Sequence, residues 1–261
     1  MRRFLIALVL WTAATAALAG DGRYGAPPPD LDRHLARLKE AYPDIIKGYD
    51  KTKLVLKSGV EIPISDGRTD KSFAELLDQP DIDDMFAIPY PSGGEPTAPP
   101  VDSDPGRIRA EDLFRAIYGD CRKGSISGEL RKVAWFGGSV LFTTRNGADQ
   151  ALEAVARDLA RLPKQMLKYL TPSAGTYNCR PIAGTRRMSM HAYGASIDIN
   201  TKYAHYWRWS KPGKDGKYAW ANQIPEAIVD VFERHGFVWG GRWYHYDTMH
   251  FEYRPELLPP R

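Results

Sequence analysis

The sequence predicts an α+β fold: a small antiparallel sheet with flanking helices, preceded by an N-terminal extension. Three observations carry this. Residues 148–162 and 225–235 space apolar side chains at helical intervals; several shorter stretches alternate with the period of a strand; and the two kinds succeed one another without the regular strand-helix-strand order of a parallel sheet. At 261 residues the chain can bury one good core plus an extension, and it contains no internal repeat.

Met1-Arg2-Arg3, an apolar run over residues 4–17 and Ala17-Leu18-Ala19 have the order of a signal peptide over residues 1–19, with Gly20 as the mature start. The expectation is an exported protein, periplasmic or secreted; an uncleaved segment would instead act as an N-terminal anchor. No later run approaches the roughly 20 apolar residues of a spanning helix, so no stable membrane insertion is expected after cleavage. The formal charge of +4 falls to +2 once Arg2 and Arg3 are gone, which gives no case for nucleic acid.

Residues 20–105 read as the extension and connector. A Pro/Gly-rich linker over 22–30 leads to residues 31–42, where Leu31, Leu35 and Leu38 recur among charges as in an amphipathic helix. Residues 53–56 and 60–64 flank Ser58-Gly59 and predict a hairpin. Residues 80–105, rich in Pro, Asp and Gly, read as a connector that wraps or enters the C-terminal domain. Beyond it come a helix over 110–118, strands over 132–136 and 140–144 around Gly137-Gly138, and the helix over 148–162 with Leu152, Val155, Leu159 and Leu162 on one stripe. The helix over 225–235 has Pro225 at its start and Gly236 past its end.

Chemistry concentrates in Ser189-Met190-His191-Ala192-Tyr193-Gly194-Ala195-Ser196-Ile197-Asp198 and Asp247-Thr248-Met249-His250-Phe251-Glu252. Strand alternation puts Ala195, Ile197 and Ile199 on one face and frees Asp198 to face a site, while Gly194 permits a bend after His191. Two imidazoles and a carboxylate are the three-ligand set of a catalytic zinc with an open fourth position. Asp247, three residues before His250, lies near such a metal without being needed as a ligand, which suits a general base. Glu252 shares the His250 side of its strand and is placed to orient that imidazole. Ser189 is placed to hydrogen-bond a substrate. Trp239, with Trp243, Tyr244 and Tyr246, would wall a substrate cleft or fill the core.

These motifs, with Trp239-Gly240-Gly241 between them, resemble the zinc D-Ala-D-Ala carboxypeptidase family of bacterial cell-wall peptidases, which includes vancomycin-resistance D,D-peptidases and phage endolysins that cut the L-Ala-D-Glu bond. Ser196 stands where Ala is commoner in that family. The resemblance spans residues 106–261, densely only over 176–253, and implies a zinc metallopeptidase domain there acting on peptidoglycan stem peptides. It implies Zn²⁺ held by His191, Asp198 and His250, Asp247 as the catalytic carboxylate, and Arg180 as the arginine that contacts substrate; Arg186 and Arg187 are alternatives nearer His191. Asp in D-x-x-H after W-G-G points to the endolysin-like branch and an L-Ala-D-Glu endopeptidase, with D-Ala-D-Ala carboxypeptidase as the alternative. A non-catalytic, zinc-stabilised cell-wall binding module, as in the related hedgehog domains, is the alternative of another class.

The chain's two cysteines, Cys121 and Cys179, form a disulfide candidate for an oxidising compartment, against the alternatives of two buried thiols or metal ligation.

Overall fold

A computed structural model describes residues 23–124 and 126–259. The expected signal peptide at 1–19 lies outside the described residues. The order of elements is α1 (Leu31–Ala41), β1 (Ile46–Tyr49), β2 (Lys53–Leu56), β3 (Glu61–Pro63), α2 (Phe73–Asp78), α3 (Glu111–Tyr118), β4 (Leu130–Trp135), β5 (Gly138–Thr143), α4 (Ala148–Leu159), α5 (Leu167–Leu170), β6 (Ser196–Asp198), α6 (Glu226–Arg234), β7 (Phe237–Trp239) and β8 (His250–Tyr253), joined by short 3₁₀ turns. The fold is α+β, with three small antiparallel sheets where the sequence suggested one: β1-β2-β3, the hairpin β4-β5, and β6-β8-β7.

The hairpin around Ser58-Gly59 forms as expected, pairing Lys53 with Pro63 and Leu54 with Ile62. Between β4 and β5 the turn is Phe136-Gly137, because Gly138 already pairs with Trp135. The helix expected over 148–162 ends at Leu159, and Leu162 packs against the core from the turn beyond it.

The sheet β6-β8-β7 positions the site. Its apolar side carries Ile197, Phe251, Phe237 and Trp239 into a core closed by Leu152, Val155 and Leu159 of α4 and Ile228 and Phe232 of α6, with the Phe232 and Phe251 rings stacked at 3.8 Å. Its other side carries Asp198, His250 and Glu252, so alternation on the central strand separates core from chemistry.

A second core joins residues from both sides of position 105. Leu35 and Leu38 of α1, Tyr42, Leu54 and Leu56 pack with Phe114, Ile117 and Tyr118 of α3 and with Met190, Tyr193 and Ala195 beside His191. The connector is strapped down as well. Tyr90 donates to Glu233 (2.7 Å) and accepts from the Trp239 N–H (2.8 Å), the Ser103 carbonyl accepts from the Tyr244 N–H, and the Pro105 carbonyl accepts from the Trp243 indole. Among the described residues no helix is long and apolar enough to cross a membrane.

Candidate metal centre

The first imidazole sits on the turn Met190–Tyr193. Ser189 caps that turn, its hydroxyl accepting from the His191 N–H at 3.3 Å, and Gly194 closes it in the left-handed region at φ +66°. A Cβ at Gly194 would meet Leu130 Cδ2 at 2.6 Å and displace that side chain, but it is the positive φ that calls for glycine. The other two groups come from paired strands, where Asp198 lies directly opposite His250. His191, Asp198 and His250 thereby bring one ligand atom each within 4.8 Å of one another.

Hydrogen bonds fix which nitrogen faces inward. His191 Nδ1–H donates to the Thr176 carbonyl, leaving Nε2 3.1 Å from Asp198 Oδ2. His250 is turned the other way, with Nδ1 2.7 Å from Asp198 Oδ1 and Nε2 3.0 Å from Glu252 Oε1. Glu252 is held in turn by Arg109 at 3.1 Å and Arg254 at 3.7 Å, all three side chains being buried. The arrangement of an imidazole backed by a carboxylate or carbonyl is the one that orients metal-binding histidines.

Two carboxylates dominate the electrostatics around His250. Burial alone would lower His250, but the Asp198 and Glu252 carboxylates raise it to about 10. Asp198 is pushed up by burial and held below the usual carboxylate range by His191 and His250, and Glu252, against its own burial, is held down to about 2 by Arg109 and His250. A proton is thus retained where a metal ion would stand, and the donor set fits one.

Asp247 sits beside this trio. Its backbone N–H donates to the Gly240 carbonyl (2.9 Å) and its own carbonyl accepts from the His250 N–H (3.1 Å). A Cβ on Gly240 would meet the Asp247 carbonyl oxygen at 2.5 Å, and one on Gly241 would meet the Trp239 ring at 2.1 Å, so Trp239-Gly240-Gly241 is the packing that sets Asp247 in place. Asp247 Oδ1 is buried with no hydrogen-bond partner among the described residues, and burial together with the nearby Asp198 charge pushes the carboxyl up to about 6. An unpartnered buried carboxylate oxygen is costly unless a ligand or reactant meets it.

Residues 183–253 match a family model described as D-alanyl-D-alanine carboxypeptidase. Over this segment the chain is similar to that family. The D-alanyl-D-alanine carboxypeptidase match contains all three candidate ligands, Asp247 and Glu252, and supports a hydrolase acting on cell-wall peptides. Comparison with curated proteins and with solved structures finds no match.

Both residues expected at the substrate are buried. Trp239 is fully buried in the core, its indole N–H donating to the Thr248 carbonyl at 2.9 Å, and a side chain without accessible surface cannot wall a cleft. Ser189 is buried as the cap that positions His191. Arg180 is exposed, with a side-chain hydrogen bond to the neighbouring Pro181 carbonyl at 3.4 Å. Cys121 and Cys179 are bonded, bracing the segment that ends in Arg180. Sequence reasoning missed Thr176, Arg109 and Arg107. Thr176 acts through a carbonyl, which any residue supplies. Arg109 comes from a distant segment with no motif of its own. Arg107, over the Trp243 ring at 4.4 Å, is a second cation whose charge reaches Asp247.

Proposed function

We propose that the protein is a zinc-dependent peptidase of bacterial peptidoglycan stem peptides, with His191, Asp198 and His250 as ligands and Asp247 as general base. The observation that carries it is the orphaned Asp247 Oδ1 beside three converging ligands, since a binding module that only needs a structural metal has no use for a buried, unpaired carboxylate oxygen. Zinc, when bound, supplies Lewis acidity and makes water nucleophilic at neutral pH. Asp247, raised from the ordinary carboxylate value, is fitted to accept the attacking water's proton and return it to the leaving amine. Glu252 and the Thr176 carbonyl keep the two imidazoles in their tautomers. Arg180, exposed and permanently charged, is assigned to a substrate carboxylate.

The D-x-x-H spacing after Trp239-Gly240-Gly241 favours cleavage between L-Ala and D-Glu. The family description favours release of the terminal D-Ala as the second reading. Mass spectrometry of muropeptides digested by the zinc-loaded protein separates them, because the carboxypeptidase removes a single alanine and the endopeptidase divides the stem after L-Ala. Export to an oxidising compartment completes the proposal, supported by the signal-like order of residues 1–19 and the Cys121–Cys179 bond.

A further inference from the structure

A cavity of about 350 Å³ lies at the seam between the N-terminal extension and the peptidase part. It is lined by residues 77–80 at the end of α2, by Arg107, Arg109 and Arg115, and by Arg186 and Arg187. Only Asp78 and Glu111 line it with opposite charge. Glu111 is occupied by Arg115 and by the Met188 N–H, and Arg109 is occupied by Glu252. Arg187 is left with Asp78, whose side chain is 61% exposed.

Arg187 is the anomaly. Its side chain is only 16% exposed, yet among the described residues Nη1 has no acceptor, and Nε, although 3.0 Å from Asp78 Oδ1, is not aligned for a hydrogen bond. Arg107 Nε and Arg115 Nε are buried and unsatisfied as well. Burial, and then the Arg109 charge, pushes the Arg187 guanidinium down to about 10. Arg187 is thus a largely buried guanidinium whose one carboxylate partner, Asp78, is itself exposed, and whose Nη1 donor is unused beside Arg107 and the exposed Arg186.

The geometry points to a second binding site in this cavity, for a carboxylate or phosphate oxyanion held by Arg187 with Arg186 and Arg107. Its volume is at the lower end of the range for small-ligand sites and admits an acidic group on a larger molecule. The cavity also adjoins the metal centre, since Arg109 joins it to Glu252 and so to His250. Two sources offer the chemistry: an acidic group of the stem peptide, a choice that rests on the peptidase reading, or a free phosphate.

Titration calorimetry on the zinc-loaded Asp247→Asn protein reads the site without turnover. The probes are inorganic phosphate and a pair of stem peptides in which the D-Glu carboxylate is free or amidated. Saturable phosphate binding that Arg187→Gln and Arg186→Gln weaken at least about tenfold supports the site, because a charge-assisted bidentate contact is worth at least that factor. Phosphate binding that persists in both variants belongs to the metal and overturns the site. If the free-acid peptide also binds about tenfold tighter than the amide, and Arg187→Gln removes that preference, the source is the substrate. A preference for phosphate alone assigns the site to a free anion. If neither phosphate nor the acid peptide distinguishes the parent protein from Arg187→Gln, the inference is wrong. Folding supplies a further check: without an anion, removing this buried cation should leave the melting temperature unchanged or raised, whereas a purely structural Arg187–Asp78 pair requires it to fall. Failure of the wild-type protein to cleave either peptide would sink the peptidase reading and leave the phosphate result standing.

Discussion

Glu252→Gln tests how the candidate metal centre is held. The carboxylate accepts from His250 Nε2 at 3.0 Å and neutralises Arg109 at 3.1 Å and Arg254 at 3.7 Å, with side chains no more than 8% exposed. The amide keeps the shape and one acceptor oxygen but leaves two buried guanidinium groups short of a counter-charge. Breaking a buried pair costs about 3 to 5 kcal/mol, and the surviving acceptor together with the Arg254–Glu256 pair places this change at the low end, about 3 kcal/mol. Loss of a partner behind a ligand histidine lowers metal affinity about 10- to 100-fold. Urea unfolding of the zinc-free protein measures the first quantity, and competition with a chromogenic chelator the second. Zinc affinity within about twofold of wild type, in a variant that still folds, would refute the role given to Glu252.

The same geometry makes other perturbations informative. Zinc binding must expel the proton that Asp198 and Glu252 hold on His250, so apparent affinity should fall as pH is lowered, and calorimetry in buffers of different ionisation enthalpy should show release of about one proton; an affinity independent of pH would contradict it. Asp83, buried with Oδ2 unpartnered among the described residues, is raised from 3.8 to about 6 by burial first and by Asp84 and Asp81. Between those values the unfolded chain binds fewer protons than the folded one, so stability contributed by this group falls as pH rises through the window. Asp83→Asn should therefore stabilise the protein at pH 7 by about 2 kcal/mol in chemical denaturation, and a destabilised variant would show that the contacts of the carboxylate with Ser65 and the Asp84 N–H outweigh its burial. Reducing Cys121–Cys179, which closes a separation of 58 residues, should cost about 4 kcal/mol and lower the melting temperature, as calorimetry with and without reductant would show.

Much of the site was legible because its geometry is set by strand alternation. Ile197 and Phe251 point to the core, which obliges Asp198 and His250 to point away from it and, once paired, to face one another. Gly194 announced the bend it makes. What stayed hidden arises between distant segments. Trp239 reads equally as a cleft aromatic or a core residue until its ring is seen buried under Gly241. The arginines behind Glu252 and Asp78 come from separate segments, and nothing in their local sequence brings them together. The packing of α1 against α3 and the residues beside His191 is likewise invisible in composition, because Leu35 and Leu38 mark an amphipathic helix without naming the surface it covers.

The central claim is that three residues hold the metal while Asp247 moves the proton. Zinc content and cell-wall peptide hydrolysis of Asp247→Asn, measured side by side with wild type, test it most directly. The account predicts stoichiometric zinc, an intact fold and turnover reduced about 10²- to 10⁴-fold. Turnover near wild type would place the base elsewhere, and loss of zinc together with activity would make Asp247 a ligand or a support and contradict the division of roles.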